Sequence, residues 1–378
     1  MNERSAGYVL RWLAMAVFCW ISAPGGAAAE VRIAVIGPMT GQFGALGEQM
    51  RLGAAHAVAD INAAGGINGE ILVLETGNDL CEAERAAAAA NQMIGRNVVA
   101  VIGHLCSAAS ITASKIYSDA GVVQISPASA SPAYTDNRPD PAGGTYRLYG
   151  REDNQAKLAG RFLMQNFGRG NVAFVHDGTT YGKTLADGAM AAFQAAGGQP
   201  VYNQAYEPGQ QSYASLVGQL EIQDIDALYI GGYQADAGRL IRQMRRRGLD
   251  AAVIGADALL TTEFRDAAGS AANGTLVTYP ADPRTRTEAA RFVARLRGLG
   301  VEPEPFTLYA YAAVQIWSQA VSQAGSVGYG SVVRALNEAR FDTVIGTVAF
   351  DASGDMNLPG YLIYRWQDGW YEELPDQD

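Results

Sequence analysis

Within the stretch Val101 to Ser110, VIGHLCSAAS, a chain of 378 residues places one of its 3 His, one of its 3 Cys and Ser107 inside four positions. Three chemistries use such neighbours. His104 could serve Cys106 as base to a thiolate nucleophile, since residues two apart on extended chain point the same way. His104 could instead join His176-Asp177 in a metal site. Ser107, where a helix is expected to begin, could cap that helix, or together with its first-turn N–H groups cradle a carboxylate. The sequence holds no GxSxG elbow, HExxH or CxxC to favour catalysis.

Other loops carry comparable residues. GPMTGQFGALG (Gly37 to Gly47) has the spacing GxxGxxG, not the GxGxxG of dinucleotide sites, and no P-loop lysine follows. SPASASP (Ser126 to Pro132) is too rich in proline for regular structure and leaves backbone N–H and C=O groups free. HDGTTYG, YIGGYQADAG and VIGADALL put Tyr181, Tyr233 and Asp257 just past expected strands, where an aromatic could also be a packing staple and an Asp a helix cap.

The elements that must position these loops are legible from periodicity. Strands are expected at Val31 to Ile36, Ile71 to Glu75, Val98 to Ile102 and Val122 to Ile125, with helices at Met50 to Ala64, Glu82 to Ile94 and Ser107 to Ala120 between them. After a turn-rich break from Pro127 to Gly144, the alternation restarts. Strands are expected at 171–175, 200–206, 227–230, 252–254 and 274–278, and helices at 183–196, 213–222 and 235–247. Helices at 287–299, 308–324 and 331–339 and strands at 343–350 and 361–366 complete the chain. Such βα repetition demands two mostly parallel, doubly wound sheets covered on both faces, with ligands at the carboxyl ends of their strands.

Residues 1–29 stand apart. Arg4 and Arg11 lead into the apolar run Trp12 to Ile21 and then Ala27-Ala-Ala29, the pattern of a cleaved secretory leader; Cys19 lacks the setting of a lipid-anchored cysteine. Without them the chain keeps 26 basic and 37 acidic side chains, a net charge of −11, which repels nucleic acid. The one basic cluster, Arg242 to Arg247, reads as the solvated face of a helix. Only Cys81 and Cys106 remain, and in an oxidising compartment a disulfide is the default, closing a loop that contributes about 3.5 kcal/mol. Such a bond consumes the nucleophile.

The segments Val31 to Glu70, VIGHLCS, ISPASASP, HDGTTYG, YIGGYQADAG and Tyr309 to Gln315 together resemble the periplasmic leucine/isoleucine/valine-binding proteins of ABC importers. The resemblance implies an α/β, type I periplasmic binding fold with two doubly wound lobes joined by a three-crossing hinge. One lobe would hold 30–148 plus 281–358, the other 149–280 plus 359–378. It implies a Cys81–Cys106 disulfide and an amino-acid ligand held by Ser107, Ala128, Tyr181, Tyr233 and Asp257. Ala130 stands where the family has a threonine, so a hydroxyl is missing that Ser129 or Ser131 could replace, and Asp257 stands where the leucine-type proteins have Glu. The implied function is periplasmic delivery of a small aliphatic amino acid to a membrane ABC permease by a monomer that uses no cofactor or metal and is not an enzyme. Alternatives within the same clamshell are an aromatic acid, an amide or urea-type cargo, and a sensory receptor.

Overall fold

A computed structural model describes the protein over residues 30–138, 143–357 and 360–375. The expected leader and the 358/359 boundary lie outside the described residues. The first half runs β1 (Glu30–Gly37), α1 (Gly44–Ala63), β2 (Ile71–Asn78), α2 (Ala83–Gly95), β3 (Ala100–Gly103), α3 (Ser107–Ala120), β4 (Val123–Ser126), α4 (Pro132–Asp136) and β5 (Thr145–Arg147). Its five strands form a parallel sheet in the order β2-β1-β3-β4-β5. Alternate residues of β1 serve opposite faces: Ile33 and Val35 pack toward Met50 and Ala54 of α1, while Ala34 and Ile36 pack toward Ala90 and Met93 of α2 and Ala113 and Tyr117 of α3. Burial on both faces is why β1, β3 and β4 read as unbroken apolar runs.

The chain then continues through α5 (Glu152–Phe167), β6 (Val172–His176), α6 (Thr180–Ala195), β7 (Pro200–Ala205), α7 (Ala214–Ile222), β8 (Ala227–Gly231), α8 (Gln234–Arg246), β9 (Ala252–Gly255), α9 (Thr262–Ala268) and β10 (Leu276–Pro280). It next adds α10 (Ala290–Gly298), α11 (Pro305–Ala324), α12 (Tyr329–Glu338), β11 (Phe341–Thr343) and β12 (Gly346–Val348), and ends on β13 (Tyr361–Gln367) and β14 (Trp370–Glu373). The second sheet has the order β14-β13-β10-β9-β8-β6-β7, parallel from β6 to β10 with an antiparallel edge of β13 and β14. Helix α11 does not cover this sheet. It packs on α1 and on β3 and β4, closing the first sheet with a segment more than 240 residues downstream of α1.

Several expectations change. The first helix begins at Gly44 rather than Met50, because Gly47 lets its opening turn fold against the preceding loop; a Cβ there would lie 2.2 Å from the Pro38 carbonyl oxygen. The expected break holds α4 and is followed by β5, and α5 emerges where no element was expected. The expected strand 343–350 is instead the hairpin β11–β12, turned at Val344-Ile345 with Gly346 at φ +95°. The basic cluster is partly consumed by structure. Arg245 donates to the carbonyls of Leu249 and Ala251 at 2.7 and 2.9 Å, and Arg247 pairs with Glu221 at 2.6 Å, leaving Arg246 exposed at the helix end.

Candidate functional site

Both parallel sheets reverse strand order, at β1/β3 in the first and β6/β8 in the second. Loops following strands at such switch points diverge and leave a crevice. Between the two sets of loops lies a small cavity. Ser107, Ala128, Tyr181, Tyr233 and Asp257 all line it, so five positions spread over 150 residues meet in one place. Leu46, Leu105, Ala258 and Phe306 supply the remaining wall, and no sequence signal singled these out.

Each side chain has a local cause. Ser107 is the first residue of α3, whose cap position is Cys106, so it does not cap the helix; its hydroxyl accepts the Ser131 N–H at 3.3 Å. Thr179 caps α6 by accepting the Gly182 N–H, which sets Tyr181 in the first turn. Tyr233 sits at the cap of α8, directly after Gly231 and Gly232. A Cβ on Gly231 would lie 2.1 Å from the Gly182 carbonyl oxygen, so the bare backbone lets α6 press against β8 and bring the two phenols together, ring centroids 5.0 Å apart.

Asp257 does not cap a helix. It is buried and accepts from Tyr181 (2.7 Å), Gln155 (2.9 Å) and Tyr149 (2.9 Å). Burial pushes its pKa up against the opposing pull of these three donors. Burial and the neighbouring carboxylate push Tyr181 well above the ordinary phenol value, so it stays a donor. Sequence reading missed Tyr149 and Gln155, which lie more than 100 residues from the aspartate they hold.

The remaining candidates resolve differently. Ala130 is buried but does not line the cavity. Ser129 does not replace the missing hydroxyl: it faces the Ser110 hydroxyl at 2.5 Å and donates to the Leu105 carbonyl at 3.1 Å. Ser131 does not line the cavity either. His104 is enclosed between Asp79 (2.5 Å) and Tyr117 (3.0 Å), whereas His176 accepts the Gly178 N–H at 3.1 Å. Cys106 is disulfide-bonded to Cys81, so the His–Cys pair is no nucleophile. Among the described residues no cluster of three or more His, Cys, Asp or Glu is placed to hold a metal.

The cleft is shut. Gln42 donates to Asp236 at 2.7 Å across it, the Phe43 ring lies 4.4 Å from Tyr233, and the Tyr233 hydroxyl reaches the Cys106 sulfur at 3.3 Å. The site can therefore offer an acid group the Ser107 hydroxyl and the α3 N-terminus. At its other end it offers a carboxylate to a cation.

Two lobes of this topology with a closed crevice between them define a ligand-binding clamshell, and the chain belongs to the periplasmic binding protein family, which it matches over residues 30–369. Among its relatives, a Leu/Ile/Val-binding protein homolog from Brucella melitensis is 36% identical over 346 residues, covering 91% of this chain and 92% of the relative. An amino acid binding protein from Pseudomonas aeruginosa is 36% identical over 367 residues, covering 96% and 97%. The crystal structure of a leucine binding protein from Thermotoga maritima superposes with a TM-score of 0.82 at 25% identity, covering 91% of this chain and 97% of that one. The fold is thus the type I periplasmic binding architecture. Among the described residues no helix is long and apolar enough to cross a membrane.

Proposed function

We propose that this protein is a periplasmic receptor that closes on a small aliphatic L-amino acid and hands it to an ABC permease, acting as a monomeric carrier and not as an enzyme. The two lobes are 30–148 plus 281–358 and 149–280 plus 359–378. Ser107 and the α3 N–H groups take the carboxylate, with the loop at Ala128 beside them. Asp257 takes the ammonium, and Tyr181 and Tyr233 close over the ligand.

One observation carries this reading. Asp257 is 4% exposed and has only neutral donors around it, so its charge lacks a counter-ion within the protein. A buried carboxylate without a cation is costly, and a ligand ammonium supplies one. The apolar wall of Leu46, Leu105 and Phe306 suits an aliphatic side chain, and the names of the 36% identical relatives agree.

A thermal-shift panel of L-amino acids, aromatic acids and amides tests it. A ligand at one hundred times its Kd stabilises by about 2.7 kcal/mol. Stabilisation by aliphatic amino acids is expected; stabilisation by aromatic acids or amides alone would overturn the proposal.

A further inference from the structure

The first turn of α5 holds a charged group that the site described so far does not use. Glu152 is fully buried, and Gln155 lies one turn on along the same face. Gln155 donates to Asp257 at 2.9 Å, which turns that face of the helix toward Asp257, although neither side chain lines the cavity itself. The Glu152 N–H donates to the Ala130 carbonyl at 2.9 Å, so the residue stands between the Ala130 loop and Asp257. The Ser131 hydroxyl lies close to its carboxyl, which among the described residues has no other hydrogen-bond donor. The charged groups around it are Asp257, Asp153 and Arg147, and the phenols of Tyr229, Tyr233 and Tyr361 also sense it. Arg147 is committed elsewhere, to Asp355 at 2.7 and 2.9 Å and to the Ser131 carbonyl at 2.7 Å. Burial first, then Asp257, push the Glu152 pKa up to about 8, against the pull of Ser131 and Arg147.

We propose that Glu152 is a second acidic determinant of ligand choice, which with Asp257 demands an ammonium at that end of the cleft and rejects acids that lack one. The inference rests on the amino-acid reading of the site. Ala130 offers no hydroxyl, so the negative charge available to an ammonium at this end comes from the two carboxyls. Three of the positions around Asp257 are filled by Tyr149, Gln155 and Tyr181, and Glu152, behind it on the same helix face as Gln155, adds a second negative charge that favours a cation at that end. An acid without an amine leaves both buried carboxyls without a cation. The cleft can then shut only if Glu152 keeps a proton taken from solvent.

The test is calorimetric titration of the mature protein, Glu152→Gln and Glu152→Asp with three pairs: L-leucine and 4-methylpentanoate, L-isoleucine and 3-methylpentanoate, L-alanine and propanoate. At pH 8, Glu152→Gln is expected to weaken the amino acid at least tenfold while the matching acid holds or gains affinity, so the ratio within a pair narrows; Glu152→Asp keeps the parent's preference. In the unaltered protein, lowering the pH from 8 to 6 protonates Glu152 and narrows the ratio in the same way. That arm stands even if the Gln variant does not fold. A ratio that is unchanged by both the substitution and pH, as a merely structural role would leave it, overturns the proposal. Failure of every amino acid to bind the unaltered protein would instead sink the amino-acid reading itself, and this inference with it.

Discussion

Replacing Asp257 by Asn separates the cost of the ligand's charge from the cost of the fold. In the loaded cleft the ammonium would lose its buried counter-ion, a loss of about 3–5 kcal/mol, or roughly a hundred- to several-thousand-fold in Kd. Without ligand the balance differs. Tyr149, Gln155 and Tyr181 lose a charged acceptor for a neutral one, but the protein no longer buries a charge whose raised pKa reports its desolvation. These terms oppose each other, so the stability of the free protein is expected to change by no more than about 1–2 kcal/mol. Scanning fluorimetry with and without the tightest-binding amino acid, followed by calorimetric titration, reads both quantities. The variant should melt near the parent's temperature while losing the ligand-induced shift. If Asp257→Asn binds that amino acid as tightly as the parent, the assignment of the cation site is wrong.

Two further outcomes follow from the closed cleft and the covalent link. Gln42→Ala removes a cross-cleft hydrogen bond to the buried Asp236 without touching the cavity wall, and should speed ligand release roughly 5- to 10-fold, or about 1 kcal/mol, with association little changed; stopped-flow fluorescence showing an unaltered release rate would refute the latch. The Cys81→Ser, Cys106→Ser double variant opens a loop of sequence separation 25 and should lose about 3.5 kcal/mol in urea unfolding, and equal midpoints for the variant and the oxidised parent would contradict this.

Much of this architecture was legible because its signals are local. Continuous apolar runs such as Ala100–Gly103 mark strands covered on both faces, and in a βαβ fold the residues after them, Ser107, Tyr181, Tyr233 and Asp257, share a crevice by topology alone. What escaped notice lacked such a signature. Helix α5 opens on Glu152-Asp153-Asn154-Gln155, a polar turn whose inward members announce themselves only once Asp257 is in place. Tyr149 lies in a short link between β5 and α5 and finds its partner 108 residues later. The hairpin β11–β12 was read as one strand because its turn residues, Val344 and Ile345, are as apolar as strand. Ser107 as a cap failed for a subtler reason: the helix starts one residue earlier than its side chain needs, so the hydroxyl turns to Ser131 instead.

The seating of α11 on α1 also sets the order of events when the polypeptide is made. A sheet built from residues 30–147 would leave one flank bare until residues 305–324 arrive to blanket it, and a bare apolar flank invites aggregation. A chain that emerges from its amino end must therefore hold its first domain unfinished while most of the remainder follows. Cut at residue 147, the first half would be left without the helix that covers this flank.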